Sequence, residues 1–117
     1  AYADPQFVDS ILSQPLKSHT SKTLVDPDLI RSKLEQIRQT GLADTLGSFE
    51  LEVHSHAVPI FGADHKALGA LAVAAPASRM SDQQQDTIRA ALRRAGAALT
   101  HRIGGSPPAD YPQDAAP

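Results

Sequence analysis

Apolar residues recur along this chain at two different spacings, and the change from one to the other divides it into elements. After Asp4-Pro5, an N-cap followed by the residue favoured in a helix's first turn, come Phe7, Val8, Ile11 and Leu12 at helical spacing. They predict a short amphipathic helix over 5–14, closed by Pro15. Residues 16–25 are polar, rich in hydroxyls, and read as a connector. Asp26-Pro27 repeats the capping signature. Ile30, Leu34 and Ile37 then make one apolar stripe, and Gly41 stops this second helix, 27–40, as its C′ residue.

Beyond Gly41 the alternation becomes strand-like. Leu42 to Ser48 reads as a loop or short strand. Phe49 to Phe61 predicts a strand with Leu51, Val53, Ser55 and Ala57 on one face and Glu52, His54, His56 and Val58 on the other. Pro59 suggests an edge position or the strand's distal end. Gly62 to Lys66 has the length and composition of a hairpin turn, and residues 67–75 form the partner strand, with Leu68, Ala70, Ala72 and Ala74 on one face. Ser81 and Gln84 make a capping box for a last helix. Its stripe is Ile88, Ala91, Leu92, Ala95, Leu99 and Ile103, ended by Gly104-Gly105. The order helix, helix, hairpin, helix predicts an α+β domain, an antiparallel sheet with helices laid against it. That domain spans 1–105. Residues 106–117, with four prolines among small and acidic residues, read as a disordered tail.

Composition adjusts this picture in three ways. A length of 117 residues fits one small domain, and the hydrophobic share of 41% is largely alanine, with aromatics at 4%. Alanine brings little area to bury, so the core is thin and calls for help from an oligomer or from more of the same fold. A net charge of -2 argues against a phosphate-neutralising surface, because DNA-binding faces gather Lys and Arg. The absence of cysteine excludes disulfides and thiolate metal sites. With no signal peptide and no apolar run of membrane-spanning length, the expected location is the cytoplasm, with no membrane partner.

Candidate chemistry is sparse. His54 and His56 form an H-x-H pair on one strand face, an arrangement that lets two imidazoles share a metal, and Asp64 with His65 in the next turn could add ligands. The plainer reading is a solvated strand face near an edge, since metal sites need convergent ligands with supporting contacts. Glu50 and Glu52 beside the histidines permit acid–base chemistry, yet no nucleophile elbow, phosphate loop or zinc-helix motif accompanies them. The chain is therefore read as no enzyme and as needing no cofactor. The alternative is a stand-alone metal-binding or hydrolytic domain using His54, His56 and Asp64. The last helix offers a further possibility, since its alanine-rich stripe would let a second helix approach closely.

Several local patterns occur together in a telling order. The helix 27–40 ends in Arg38-Gln39-Thr40-Gly41. Phe49-Glu50 precedes the first hairpin strand, which runs into Ala57-Val58-Pro59-Ile60-Phe61. The second strand closes in Pro76-Ala77-Ser78-Arg79, followed by Met80-Ser81. This series resembles the carboxy-terminal effector-binding domain of IclR-type transcriptional regulators, from the first residue to about Gly104, and covers about the later two-thirds of that domain. The resemblance implies a GAF-like fold, with helices on one face of an antiparallel sheet and an effector pocket on the other. It implies a homodimer or homotetramer whose packing responds to a small organic acid, aromatic acids included. DNA would be contacted only through an amino-terminal winged-helix domain absent here. Carried over by position, the effector-binding places are Thr45, Val53, Ser55, Ala72 and Ala74. Members that sense glyoxylate or pyruvate have a carboxylate, a thiol and two hydroxyls where Thr45, Ser55, Ala72 and Ala74 stand. Two hydroxyls and two methyls imply a larger, flatter, more apolar ligand, because an unpaired buried charge is costly.

Overall fold

Proline at the first helical position starts both amino-terminal helices in a computed structural model that describes residues 1–112. Helix α1 (Pro5–Leu12) has Asp4 as its N-cap, whose carboxylate accepts the Gln6 amide at 2.9 Å. It stops two residues short of the expected end. The Ser10 and Ser13 hydroxyls donate to the carbonyls of Phe7 and Ser10, local bonds that compete with helix propagation. Helix α2 (Pro27–Thr40) is capped by the Asp26 carboxylate and closed by Gly41. That glycine sits at φ 68°, a left-handed conformation that its missing Cβ makes cheap, and its amide bonds the Ile37 carbonyl at 2.7 Å.

Three antiparallel strands follow, β1 (Ala43–Leu46), β2 (Val53–Phe61) and β3 (Ala67–Pro76), with β2 in the centre. The expected strand from Phe49 is shortened to Val53. Gly47, at φ 77°, turns the chain back and donates to the Val53 carbonyl, so residues 48–52 form the connecting loop. A Cβ at Gly47 would lie 2.7 Å from the Leu51 carbonyl oxygen, so the turn admits no side chain there. Pairing of Gly47 with Val53 also fixes which β2 residues turn their backbone groups toward β1: the odd-numbered ones. Pro59 is one of them, and it lies beyond Ala57, the partner of the first β1 residue. Its missing N–H therefore costs no ladder bond. Of the two placements expected for Pro59, the distal end is the one observed. β3 is the outer strand on the other side, ten residues without a charge.

Helix α3 (Asp82–Arg102) starts at the Ser81–Gln84 capping box and lies across β2 and β3. Leu42, Val58 and Leu92 form the core, with Leu71 and Ile88 packed against it. The buried positions of α3 are Leu92, Gly96 and Thr100. This corrects the expected stripe: Ala91, Ala95, Leu99 and Ile103 are exposed. Helical spacing alone picks the most hydrophobic side, whereas contact with the sheet selects the side that fits closest. A Cβ at Gly96 would stand 2.6 Å from Val58 Cγ2, and the Thr100 hydroxyl accepts the buried Phe61 amide at 3.2 Å.

Composition assigned residues from 106 onward to a disordered tail. The described part, 106–112, instead docks on the domain. The Tyr111 ring meets Phe61 edge-on at 5.1 Å and its hydroxyl donates to the Gly41 carbonyl. Asp110 pairs with Arg38 at 2.9 Å. The Tyr111 ring also meets Tyr2 at 5.7 Å, so the segment is held mainly by aromatic packing. The rest of that tail, 113–117, lies outside the described residues. Among the described residues, no helix is long and apolar enough to cross a membrane.

Candidate functional site

The register of the three strands decides which side chains share a face. Thr45 lies opposite Ser55 and Ser55 opposite Ala74, while Ala57 pairs Ala72 and Val53 pairs Pro76. Because side chains alternate, Thr45, Val53, Ser55, Ala72 and Ala74 all project from one face. It is the face away from α3, which packs on His56, Val58 and Leu71.

A hollow of about 270 Å³ opens on this face, lined by Thr45, Phe49, Glu50, Val53, Ser55 and Ala74. The Thr45 and Ser55 hydroxyls bond each other at 2.5 Å across the ladder, which places a coupled donor–acceptor pair at its floor. Ala72, one step nearer the hairpin, faces the same side but does not line the hollow, and both Ala72 and Ala74 are exposed. The short side chains thus leave an open depression, because no described element crosses over them.

The rim is held by the connector. Thr20 and Thr23 donate their hydroxyls to the Gly47 and Ser48 carbonyls, and the His19 ring packs against Phe49 at 4.7 Å. Phe49 and Glu50 were legible as a sequence motif but not as lining residues, since only the left-handed turn at Gly47 folds them back over the sheet. Phe49 is 67% exposed, an aromatic edge standing over the hollow. Glu50 is the one formal charge among the described lining residues, and it is negative.

The opposite face carries a different set of polar groups. His56 is wholly buried and its Nδ1 donates to Asp44, whose other oxygen accepts from Arg89 of α3 at 3.3 Å. Arg89 also bonds Asp86 and Gln85. This corrects the reading of His54 and His56 as a solvated face near an edge: they sit on the central strand, turned toward α3. The buried nitrogens His54 Nδ1 and His56 Nε2 have no hydrogen-bond partner among the described residues. Asp64 is at the far end of the hairpin, where its carboxylate accepts the Lys66 amide at 3.1 Å. At about 3.4 Å per residue, seven residues of strand from His54 to Phe61 put it more than roughly 20 Å away. His54, His56 and Asp64 therefore do not converge, and among the described residues no group of three or more His, Cys, Asp or Glu could hold a metal ion.

Residues 1–101 match the family described as bacterial transcriptional regulator IclR C-terminal. The HTH-type transcriptional regulator XynR of Escherichia coli K12 is 31% identical over 85 residues, covering 73% of this chain and 34% of XynR. The crystal structure of an IclR transcriptional regulator from Silicibacter sp. TM1040 superposes with a TM-score of 0.93 at 55% identity, over 96% of this chain and 44% of that one. An IclR homologue from Microbacterium hydrocarbonoxydans, solved in complex with 4-hydroxybenzoate, shares the fold with a TM-score of 0.76 at 24% identity. It is covered over 42% of its length, with 90% of this chain. The chain thus spans about a third of XynR and under half of these solved relatives.

Proposed function

We propose a ligand-sensing role for this chain, which belongs to the IclR family of bacterial transcriptional regulators and corresponds to their carboxy-terminal domain. Its relatives are transcriptional regulators, and the part played by this domain is to bind a small organic compound through Thr45, Val53, Ser55 and Ala74, with Ala72 beside them on the same sheet face. The observation that carries the reading is the coupled Thr45–Ser55 hydroxyl pair at the floor of a hollow beside Ala74.

The lining favours a flat ring bearing a hydroxyl. Val53 and Ala74 offer apolar contact, and Phe49 offers an aromatic edge. Thr45, Ser55 and Glu50 offer acceptors for a phenolic O–H. No lysine or arginine lines the hollow, so the carboxylate of an aromatic acid points to the open side, away from Glu50. A hydroxybenzoate has this chemistry, the class found in complex with the Microbacterium homologue.

Binding then acts by population shift. The ligand favours one homodimeric or homotetrameric arrangement over another, and a DNA-reading part of the regulator outside this chain responds in the cytoplasm. The test is thermal unfolding of the complete regulator with 4-hydroxybenzoate. A saturable rise in Tm is expected, since a ligand at about 100 times its Kd stabilises by roughly 2.7 kcal/mol. Ala74→Leu, which fills the hollow, should abolish it. No rise in the parent protein up to millimolar ligand, or an equal rise in Ala74→Leu, refutes the assignment.

A further inference from the structure

A second depression lies on the other side of the molecule and differs from the first in charge. It is a cleft of about 320 Å³ between α3 and the docked segment 105–112. Pro59, Pro107 and Tyr111 give it flat apolar walls, and Phe61, Gly96, Thr100 and Gly105 line it as well. Arg93 and His101 stand on its α3 side, and among the described residues no carboxylate lines it.

Arg93 is the distinguishing group. Its Nη1 donates to the Thr40 carbonyl at 2.7 Å, which fixes the guanidinium beside the cleft. Among the described residues it makes no other hydrogen bond and no ion pair, whereas Arg31, Arg38 and Arg89 each hold an aspartate. Its charge is felt at the neighbouring ring: burial raises the Tyr111 phenol above its ordinary range, and Arg93 opposes that rise. A tethered guanidinium with unused N–H groups, half sheltered from water, recognises a carboxylate by charge-assisted bonds.

The position of the cleft near the carboxy-terminal end of α3 would disfavour an anion if bare carbonyls faced it. They are already engaged. Leu99, Thr100 and His101 accept from the amides of Ile103, Gly105 and Gly104 at 3.1, 2.8 and 3.0 Å. The volume is at the small end of ligand sites, enough for one ring with a carboxyl group.

We propose that this cleft is a second ligand site, separate from the sheet-face hollow, that takes a small aromatic or alicyclic carboxylate with its anionic end on Arg93 and its ring between Pro59, Pro107 and Tyr111. The two depressions differ in charge: the Glu50 carboxylate lines the hollow and the Arg93 guanidinium lines the cleft.

The test is a benzoate titration of the chain followed by amide NMR, with phenol as the uncharged comparison. Saturable benzoate shifts are expected at Ala97, Thr100 and Ser106, with phenol at least about tenfold weaker. Arg93→Gln should weaken benzoate by about tenfold or more, and Ala97→Leu, an exposed position whose larger side chain occupies the cleft, should remove the shifts while leaving the rest of the spectrum folded. Ala74→Leu should leave them unchanged, so failure of the hollow does not read as failure of the cleft. Absence of saturable shifts at these amides, equal binding of phenol, persistence in Ala97→Leu, or loss in Ala74→Leu overturns the proposal.

Discussion

Replacing Gly96 with alanine pits two effects of similar size against each other. In an exposed helix interior the change would stabilise by about 1 kcal/mol, because glycine pays more backbone entropy on folding. Here the new methyl carbon would stand 2.6 Å from Val58 Cγ2 and 3.8 Å from Ile60 Cδ1. Val58 is only 2% exposed and belongs to the central strand, so it has no room to withdraw. Overpacking of this kind costs about 1–3 kcal/mol, and the rigid neighbour argues for the upper half. The expected net loss is about 1–2 kcal/mol, a fall in Tm of several degrees for a domain of this size. Urea unfolding of Gly96→Ala, Val58→Ala and the double variant measures it. Val58→Ala alone should cost about 2 kcal/mol through lost burial and the cavity left behind. In the double variant the two losses should fall short of their sum by at least about 1 kcal/mol, since the smaller side chain vacates the space the methyl needs. A gain in stability for Gly96→Ala, or strict additivity, refutes the close contact between α3 and β2.

Two further predictions concern buried polar groups. Asp44→Ala removes the acceptor of a wholly buried imidazole and a partner of Arg89, and should cost about 1–3 kcal/mol in urea unfolding, with Asp44→Asn retaining part of it. For Tyr2, burial chiefly, with the Tyr111 phenol adding, pushes its pKa up to about 12 from 10.0. A folded-state pKa above the unfolded one means the contribution to stability is full below pH 10 and is lost as pH rises toward 12, so Tm should decline across that window, and Tyr2→Phe should flatten the decline.

Elements marked by local chemistry were legible in the sequence. Asp4-Pro5, Asp26-Pro27, Gly41 and the Ser81–Gln84 box act within a few residues of themselves, so they read correctly without knowledge of the rest. The hairpin around Gly62 to Lys66 is equally local. What escaped depends on contacts between distant segments. Alternation assigns residues to two faces but does not say which face a helix covers, and His54 and His56 made the covered face look wet. The sheet side of α3 uses Gly96 and Thr100, one too small and the other too polar to register in a hydrophobic stripe. Tyr111 finds Phe61 and Gly41 across 50 and 70 positions of the chain, beyond the reach of any local rule. For the candidate site, the five places came from the family resemblance; alternation groups Val53 with Ser55 and Ala72 with Ala74, and only the strand register brings these pairs and Thr45 to one face. The rim of Phe49 and Glu50 does not, because it needs the left-handed turn at Gly47.

The outer strand β3 presents ten residues, Ala67 to Pro76, with no lysine, glutamate or other charge to discourage a neighbour. Six of the ten are alanine or glycine, so a ribbon sliding along it meets nearly the same surface at each offset. Such a border is adhesive without being selective. Concentrated solutions of the chain are expected to form sheet-extended aggregates, which light scattering would detect, and Leu68→Lys, at an exposed place on that border, should suppress them.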